Sequence, residues 1–234
     1  MNTKYIDLVN QTFDFPQEEF LLDKGHLRFH DIDLNKLVET YGAPLKFTYL
    51  PKISENINKS KVWFNTAINK HNYNGSYNYC YCTKSSHFNH VLNEALKNDI
   101  HIETSSAFDI DIVENLKAEG KITDNTYVIS NGFKRAQYVT NIARLINNGH
   151  KNAIPIIDNY EEIDLLSQEI NGKFNVGIRI ASEEEPKFAF YTSRLGIRAN
   201  EILDFYEEER LGIFHHSQAF GIPIFLHTSK LSKK

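Results

Sequence analysis

Six times along the chain a short apolar run rich in strand-forming residues gives way to a longer stretch whose apolar positions recur at three and four. The runs are "PLKFTYL" after the turn "YGA", the segment from Tyr77 to Cys82, "IHIETSS", "TYVISNG", "AIPIID" and "FNVGIRIA". The helical stretches run from Ile53 through Val62, Trp63 and Ala67 to Ile68, then from Phe88, then over "AFDIDIVENLKAEG", "QYVTNIARLINNG", "YEEIDLLSQEINGK" and "NEILDFYEEE". Strand and helix periods alternating at intervals of roughly two to three dozen residues are the pattern of right-handed βαβ crossovers and a parallel sheet. Gly120, Gly149 and Gly172 fall where helices should stop, just past the last turn. The expected fold class is therefore α/β.

An eight-fold barrel and an open doubly wound sheet both satisfy this alternation. A dinucleotide-type sheet calls for a glycine-rich turn after its first strand, and "TYLPKIS" has no glycine, which favours the barrel. The segment before "YGAPL" stands apart from the repeat: "HLRFH" reads as a short strand and Leu34 to Tyr41 as an amphipathic helix. The expected organisation is a lead-in over residues 1–40, barrel units over 41–210, and a divergent tail over 211–234 that is a candidate remnant of a seventh strand.

The stretch "NYCYCTKSSHFNHVLNEAL" concentrates the chemistry. Tyr77, Tyr79 and Tyr81 alternate with Asn78, Cys80 and Cys82, a strand period. Phe88, Val91, Leu92, Ala95 and Leu96 then mark a helix, with Ser85 or Ser86 placed to cap it. Lys84 thus stands at the carboxyl end of a strand, where reactive groups collect in parallel α/β folds. A long, flexible amine partly desolvated there has a lowered pKa and attacks an aldehyde as a Schiff-base lysine. The plain alternative is a solvated surface charge. His87 and His90 flank the helix start and read as surface residues, and the two cysteines as small packed hydrophobes.

Net charge narrows the partners. At -4, with pI near 6.2, the 234-residue chain lacks the basic footprint of a nucleic-acid binder. Cys80 and Cys82 lie two apart on one strand, a geometry that does not close into a disulfide, and they suit a reducing compartment. The amino terminus has no apolar core of a signal peptide and no stretch reaches the length of a membrane span, so a cytoplasmic protein without a membrane partner is expected.

"YGAPLKFTY" followed by "YCYCTKSSHFNHVLNEALKNDIHIETSSAFDIDIVENL" resembles the opening of the fold-type III enzymes that use pyridoxal 5'-phosphate. These are the alanine racemases and the ornithine, diaminopimelate and biosynthetic arginine decarboxylases. "ISNGFK" is similar to the arginine decarboxylase segment "CNGYK", "VGIRIA" to its "LGVRAR" strand, and "FYTSRLGIRANEIL" to its "SKFGLS…L" stretch. In the last, Ser193, Leu195 and Gly196 are in register and Arg194 replaces the usual lysine.

The resemblance implies a partial TIM (β/α)8-type barrel of the alanine racemase-like type, with six β/α units and the carboxyl-terminal β-domain missing. It implies a carboxy-lyase whose small-molecule substrate is a basic amino acid, arginine foremost, in polyamine biosynthesis, and homo-oligomers in the full-length family. By the same match Lys84 is the lysine that carries pyridoxal phosphate, and Glu103 and Ser105 belong to the rim segment of the next strand. Asn131, Arg179 and His215 (or His216 beside it) complete the expected cofactor-binding set; no metal is expected. Residue-level readings stand beside these. Glu103 reads equally as a solvated rim carboxylate, Asn131-Gly132 as a turn, and Arg179, from an apolar strand, as half of a structural ion pair. Because the later barrel strands, the phosphate loop and the β-domain are not legible, a truncated copy is expected. Its open strand edges predict instability alone and little or no turnover. A racemase of the same fold and a non-catalytic cofactor-binding barrel or pseudoenzyme are the alternatives.

Overall fold

The structure, a computed structural model, describes residues 19–181, 196–198, 201 and 202. They fall into two compact units that divide between Tyr49 and Leu50.

The first unit is a small antiparallel sheet, in which β1 (Phe20–Asp23) pairs with β2 (His26–Phe29) and β2 with β3 (Ile32–Asp33). Lys24 and Gly25, both at positive φ (49° and 84°), make the two-residue turn of the β1–β2 hairpin. Asp33 then caps α1 (Leu34–Tyr41), its carboxylate accepting from the N–H groups of Asn35 and Lys36. The short strand and helix expected before the repeat are both present. The strand expected at "PLKFTYL" is not: residues 45–49 form no ladder with any described strand. Their aromatics serve another purpose. Phe47 and Tyr49 pack edge-on against Phe29, with ring centroids 5.7 and 5.3 Å away. A period of two fixes only the side on which rings emerge, and here those rings cover β2.

The second unit carries the repeat. After α2 (Pro51–Lys70) come β4 (Cys80–Cys82), α3 (Asn89–Leu96), β5 (His101–Thr104), α4 (Ala107–Ala118) and β6 (Val128–Ser130). Next are α5 (Ala136–Asn147), β7 (Ala153–Ile157), α6 (Tyr160–Glu169) and β8 (Gly177–Ile178). The five strands form one sheet in sequential order, every neighbouring pair parallel. Among the described strands no reversal of order occurs, unlike at the switch point of a doubly wound sheet. A parallel bridge between Ile180 and Ile197 extends the same sense, and Gly196 makes it possible: a Cβ there would lie 2.8 Å from Arg179 O. Gly120, Gly149 and Gly172 end their helices at φ of 69°, 92° and 89°. Helix α3 starts differently from expectation. Phe88 occupies its N-cap without a side-chain bond, while Ser85 N closes a turn onto Cys82 O and the Ser86 carbonyl accepts from the Tyr81 hydroxyl.

The pleat sorts the side chains into two layers. Ile102, Val128, Ala153 and Ile178 face the helices, where they join Ile110, Val139, Ile142 and Ile163 in the main core. Ile129, Ile154 and Ile156 form a smaller cluster with Cys80 on the opposite, inward face. At the amino-terminal end of that face a cavity of about 290 Å³ is lined by Asn78, Cys80, Tyr127, Ile129, Asn152, Ile154 and Asn175. No helix among the described residues is long and apolar enough to cross a membrane.

The buried His150, in the α5–β7 connection, gives the fold a pH dependence. Its Nε2 is 2.8 Å from Thr126 O, and its Nδ1, 3.5 Å from the Asp124 carboxylate, has no hydrogen bond. Burial lowers its pKa below the usual imidazole value and outweighs the opposing pull of the Thr126 carbonyl and Asp124; Lys117 acts with burial. A histidine whose folded pKa is depressed binds fewer protons folded than unfolded, so its contribution is complete above about pH 6.5 and is lost as pH falls below it. His101, also desolvated, has the same sign. The urea midpoint is therefore expected to drop between pH 7.5 and 5.5, and His150→Gln to flatten that slope. Equal slopes in wild type and variant would refute the assignment.

Candidate functional site at the strand carboxyl ends

Side-chain alternation puts Glu103 on the inward face of β5 and carries that face one residue past the ends of β6, β7 and β8 to Asn131, Asp158 and Arg179, while Lys84 stands two residues past β4, in the turn that Ser85 N closes onto Cys82 O. Four of these five were singled out by sequence, and the parallel register places them at one end of the sheet. Lys84, two residues past β4, is exposed, and its ammonium makes no hydrogen bond or ion pair with another described residue. Cys82 sits below it on the same strand and is the register partner of Glu103. Both thiols are free. Burial, reinforced by the Glu103 charge, pushes Cys80 up to about 11 and raises Cys82 despite the backbone N–H groups of Lys84 and Ser85 and the Lys84 charge. Neither is a thiolate at neutral pH, in keeping with a packing role.

Glu103 is half-buried and tied to the next strand, with Asn131 Nδ2 donating to its Oε1 at 3.0 Å. The other end of the Asn131 amide is fixed as well, because Gly132 N donates to its Oδ1 at 2.9 Å. Gly132 itself, at φ 88°, brings the β6–α5 loop so close to β5 that a Cβ would stand 3.1 Å from Ser105 O. The Asn-Gly pair is a turn, as its dipeptide suggests, and its amide also clasps Glu103. Ser105 faces elsewhere: its N–H donates to Asp109 Oδ2 at 2.8 Å and its hydroxyl lies 3.4 Å from the same oxygen, fastening the start of α4. Arg179 pairs with Asp158, Nη1 to Oδ1 at 3.4 Å, so the ion-pair reading of this residue is realised. His215 lies outside the described residues, as do His216, Ser193, Arg194 and Leu195.

Sequence reasoning missed a buried charge cluster behind Arg179. Lys134 Nζ, with a side chain 0 % exposed, bonds Glu162 Oε2 at 3.1 Å, Gly132 O at 3.0 Å, and the carbonyl of Ile156. Glu162 also accepts from Lys134 N through Oε1 and from Asp158 N through Oε2, both at 3.0 Å. Burial pulls the Lys134 pKa down and the two carboxylates resist it. Asp158 is pushed up by burial against the opposing Arg179 and Lys134 charges, and its Oδ2 has no partner. The available signal was "NGFK" itself, a lysine just after a strand-ending turn and followed by a helix. Among the described residues no group of three or more His, Cys, Asp or Glu is arranged for a metal ion.

Neither a protein-family model nor any curated protein sequence matches the chain. Solved structures do. The chain is similar to the biosynthetic arginine decarboxylase of Campylobacter jejuni, at 18% identity and TM-score 0.60, over 95% of this chain and 37% of that one. It is similar to the diaminopimelate decarboxylase of M. jannaschii in co-complex with L-lysine, at 15% identity and TM-score 0.67, over 88% and 46%. A lysine decarboxylase from Selenomonas ruminantium, at 17% identity and TM-score 0.61, matches over 88% and 48%. The fold is the barrel portion of these decarboxylases. Structures of the lysine decarboxylase have been determined with pyridoxal phosphate, and with pyridoxal phosphate and cadaverine. The chain spans 37% to 48% of the length of the three decarboxylases it is compared with. Within that barrel, the rim bearing Lys84 is the end of the sheet where (β/α)8 folds keep their active sites.

Proposed function

We propose that the chain carries the cofactor-binding barrel of a pyridoxal-phosphate-dependent amino-acid decarboxylase, with Lys84 taking the cofactor. The observation that carries this reading is an accessible, unengaged amine just past the carboxyl end of β4, at the same end of the parallel sheet as Glu103, Asn131 and Arg179. The donor set suits the group: an amine for its aldehyde, a carboxylate and a guanidinium to meet its polar edges, and an apolar layer beneath. Pyridoxal phosphate, when bound, supplies the electron sink for the carbanion that carbon dioxide loss leaves behind.

The chain's own residues prepare that chemistry. Among the described residues, Lys84 and Lys134 both follow strands of the parallel sheet at its carboxyl end, and they differ in freedom: Lys134 is held by a carboxylate and two carbonyls, whereas Lys84 is not. Cys80 and Cys82, kept protonated by burial, do not compete for the aldehyde. Asn131 holds the Glu103 carboxylate beside the thiols, and Asp158 braces the Arg179 guanidinium, which suits an anionic group of the ligand.

A basic amino acid, arginine foremost, is the substrate class. Support comes from the segments around Asn131, Arg179 and Gly196 and from the arginine decarboxylase likeness, which extends over 95% of the chain. The test is a titration of the pyridoxal-phosphate-loaded chain with L-arginine, L-lysine, L-ornithine and diaminopimelate. The bound cofactor's absorbance is expected to respond to L-arginine at the lowest concentration. Equal indifference to all four would overturn the decarboxylase reading, and a first response to another amino acid would reassign the substrate.

A further inference from the structure

Glu103 and Asn131 are held from the far side of the sheet. Tyr138, on α5, is 3 % exposed within the helix-facing core. Its hydroxyl lies 2.9 Å from Thr104 Oγ1 and donates to Asn131 O at 3.1 Å. Thr104 Oγ1 is in turn 3.3 Å from Ser130 Oγ. Thr104 and Ser130 are register partners on β5 and β6, one residue on from Glu103 and one before Asn131. The phenol therefore fastens the ends of two adjacent strands at the point where the Asn131 amide reaches Glu103 on the other face. A phenylalanine would fill the apolar part of the same space, so packing alone does not call for the hydroxyl. Burial raises the Tyr138 pKa above the usual phenol range, so it acts as a neutral group.

We infer that Tyr138, with Thr104, is a positioning residue of the rim site: its hydroxyl fixes the Asn131 backbone, the Asn131 amide fixes Glu103, and Glu103 is thereby held at the inward face. Asn131 is accordingly part of the support for Glu103, and need not touch a ligand to matter. The consequence for cofactor capture rests on the functional reading above, whereas the relay itself is a property of the chain alone. A buried hydrogen-bonded network of this kind specifies one geometry because every member is satisfied.

The thiol of Cys82 reports the position of the Glu103 charge without any cofactor. The groups that act on this thiol are the Glu103 carboxylate across the ladder and the Lys84 ammonium with the Lys84 and Ser85 N–H groups on its own segment. Glu103 in turn acts on Cys80 and Tyr138. In a Cys80→Ala background, the pH midpoint of Cys82 alkylation by iodoacetamide is expected to fall when Glu103 is replaced by Gln. Tyr138→Phe should move it part of the way, by roughly 0.3 pH unit, as the carboxylate loses its fixed place. In the Glu103→Gln background Tyr138→Phe should move it no further. A Tyr138→Phe profile that stays at the wild-type midpoint, or that shifts equally without Glu103, overturns the relay.

Should Tyr138→Phe fail to fold, as judged by circular dichroism, Asn131→Ala tests the same relay one link further on. It removes the amide clasp on Glu103, together with the bond Asn131 Oδ1 accepts from Gly132 N, at a half-buried position, and an unchanged midpoint there also refutes the proposal. If the thiol profile behaves as expected but Lys84 captures no pyridoxal phosphate, the functional reading falls and the relay stands.

Discussion

Replacing Lys84 with alanine is expected to abolish specific attachment of pyridoxal phosphate. With the cofactor added to the wild-type chain, an absorbance band near the edge of the visible range should appear, and borohydride should fix about one label per chain, on the peptide containing Lys84. In Lys84→Ala that label should drop to the scattered background of surface lysines, a fall of at least about tenfold. Lys84→Arg should be equally inactive, because a guanidinium keeps the charge but does not condense with an aldehyde at neutral pH. The comparison with Lys134 makes the test selective. That amine also follows a strand, but it is buried and engaged by Glu162, Gly132 O and Ile156 O, so it should stay unlabelled in every folded variant. A label that is spread over many lysines, or that survives in Lys84→Ala, would remove Lys84 from the proposed function.

Much of the second unit was legible because its signals are local and periodic. The alternation of runs gave five strands their sense and sequential order, and the glycines at 120, 149 and 172 marked helix ends because only a left-handed residue closes those turns cheaply. Lys84 was legible because a strand period changes to a helix period within a few residues of it. The failures have a common cause. Periodicity reports which side a residue faces, and does not report what it meets there. Phe47 and Tyr49 alternate like strand residues and spend their rings on Phe29. Lys134, Asp158 and Glu162 look like surface charges in the sequence, yet each is buried, because their partners come from different β/α units. Asn131 read as a turn residue, and it is one, but its amide reaches Glu103 from a strand 28 positions away in sequence. Tyr138 left no trace beyond an aromatic on an amphipathic helix.

The second large effect is expected at Glu162. Its carboxylate is the only anion bonded to the fully buried Lys134 among the described residues, and it also accepts from the N–H groups of Lys134 and Asp158. The β6–α5 and β7–α6 loops are thus joined through one side chain. Glu162→Ala strands the Lys134 ammonium and frees two buried backbone donors at once. Removing one partner of a buried pair costs about 3–5 kcal/mol, because the surviving charge keeps its desolvation penalty and loses its compensation. Burial already lowers the Lys134 pKa, so without Glu162 the lysine escapes part of that cost by giving up its proton, and Glu162→Ala should become less damaging as pH rises. Lys134→Met should also destabilise by several kcal/mol, roughly the same class of loss, since it leaves Glu162 buried with a negative charge. The double variant Lys134→Met/Glu162→Gln should recover part of the deficit, because the apolar and amide side chains carry no unpaired charge and the amide oxygen still accepts from one backbone N–H. Urea unfolding with an unchanged m-value is the measurement. Single variants that each cost less than about 1 kcal/mol, or losses that simply add in the double variant, would show that the cluster is not a coupled unit. If they are coupled, Arg179 inherits the consequence: its partner Asp158 takes its place from Glu162, so the position of the guanidinium at the strand ends depends on a lysine and a glutamate buried behind it.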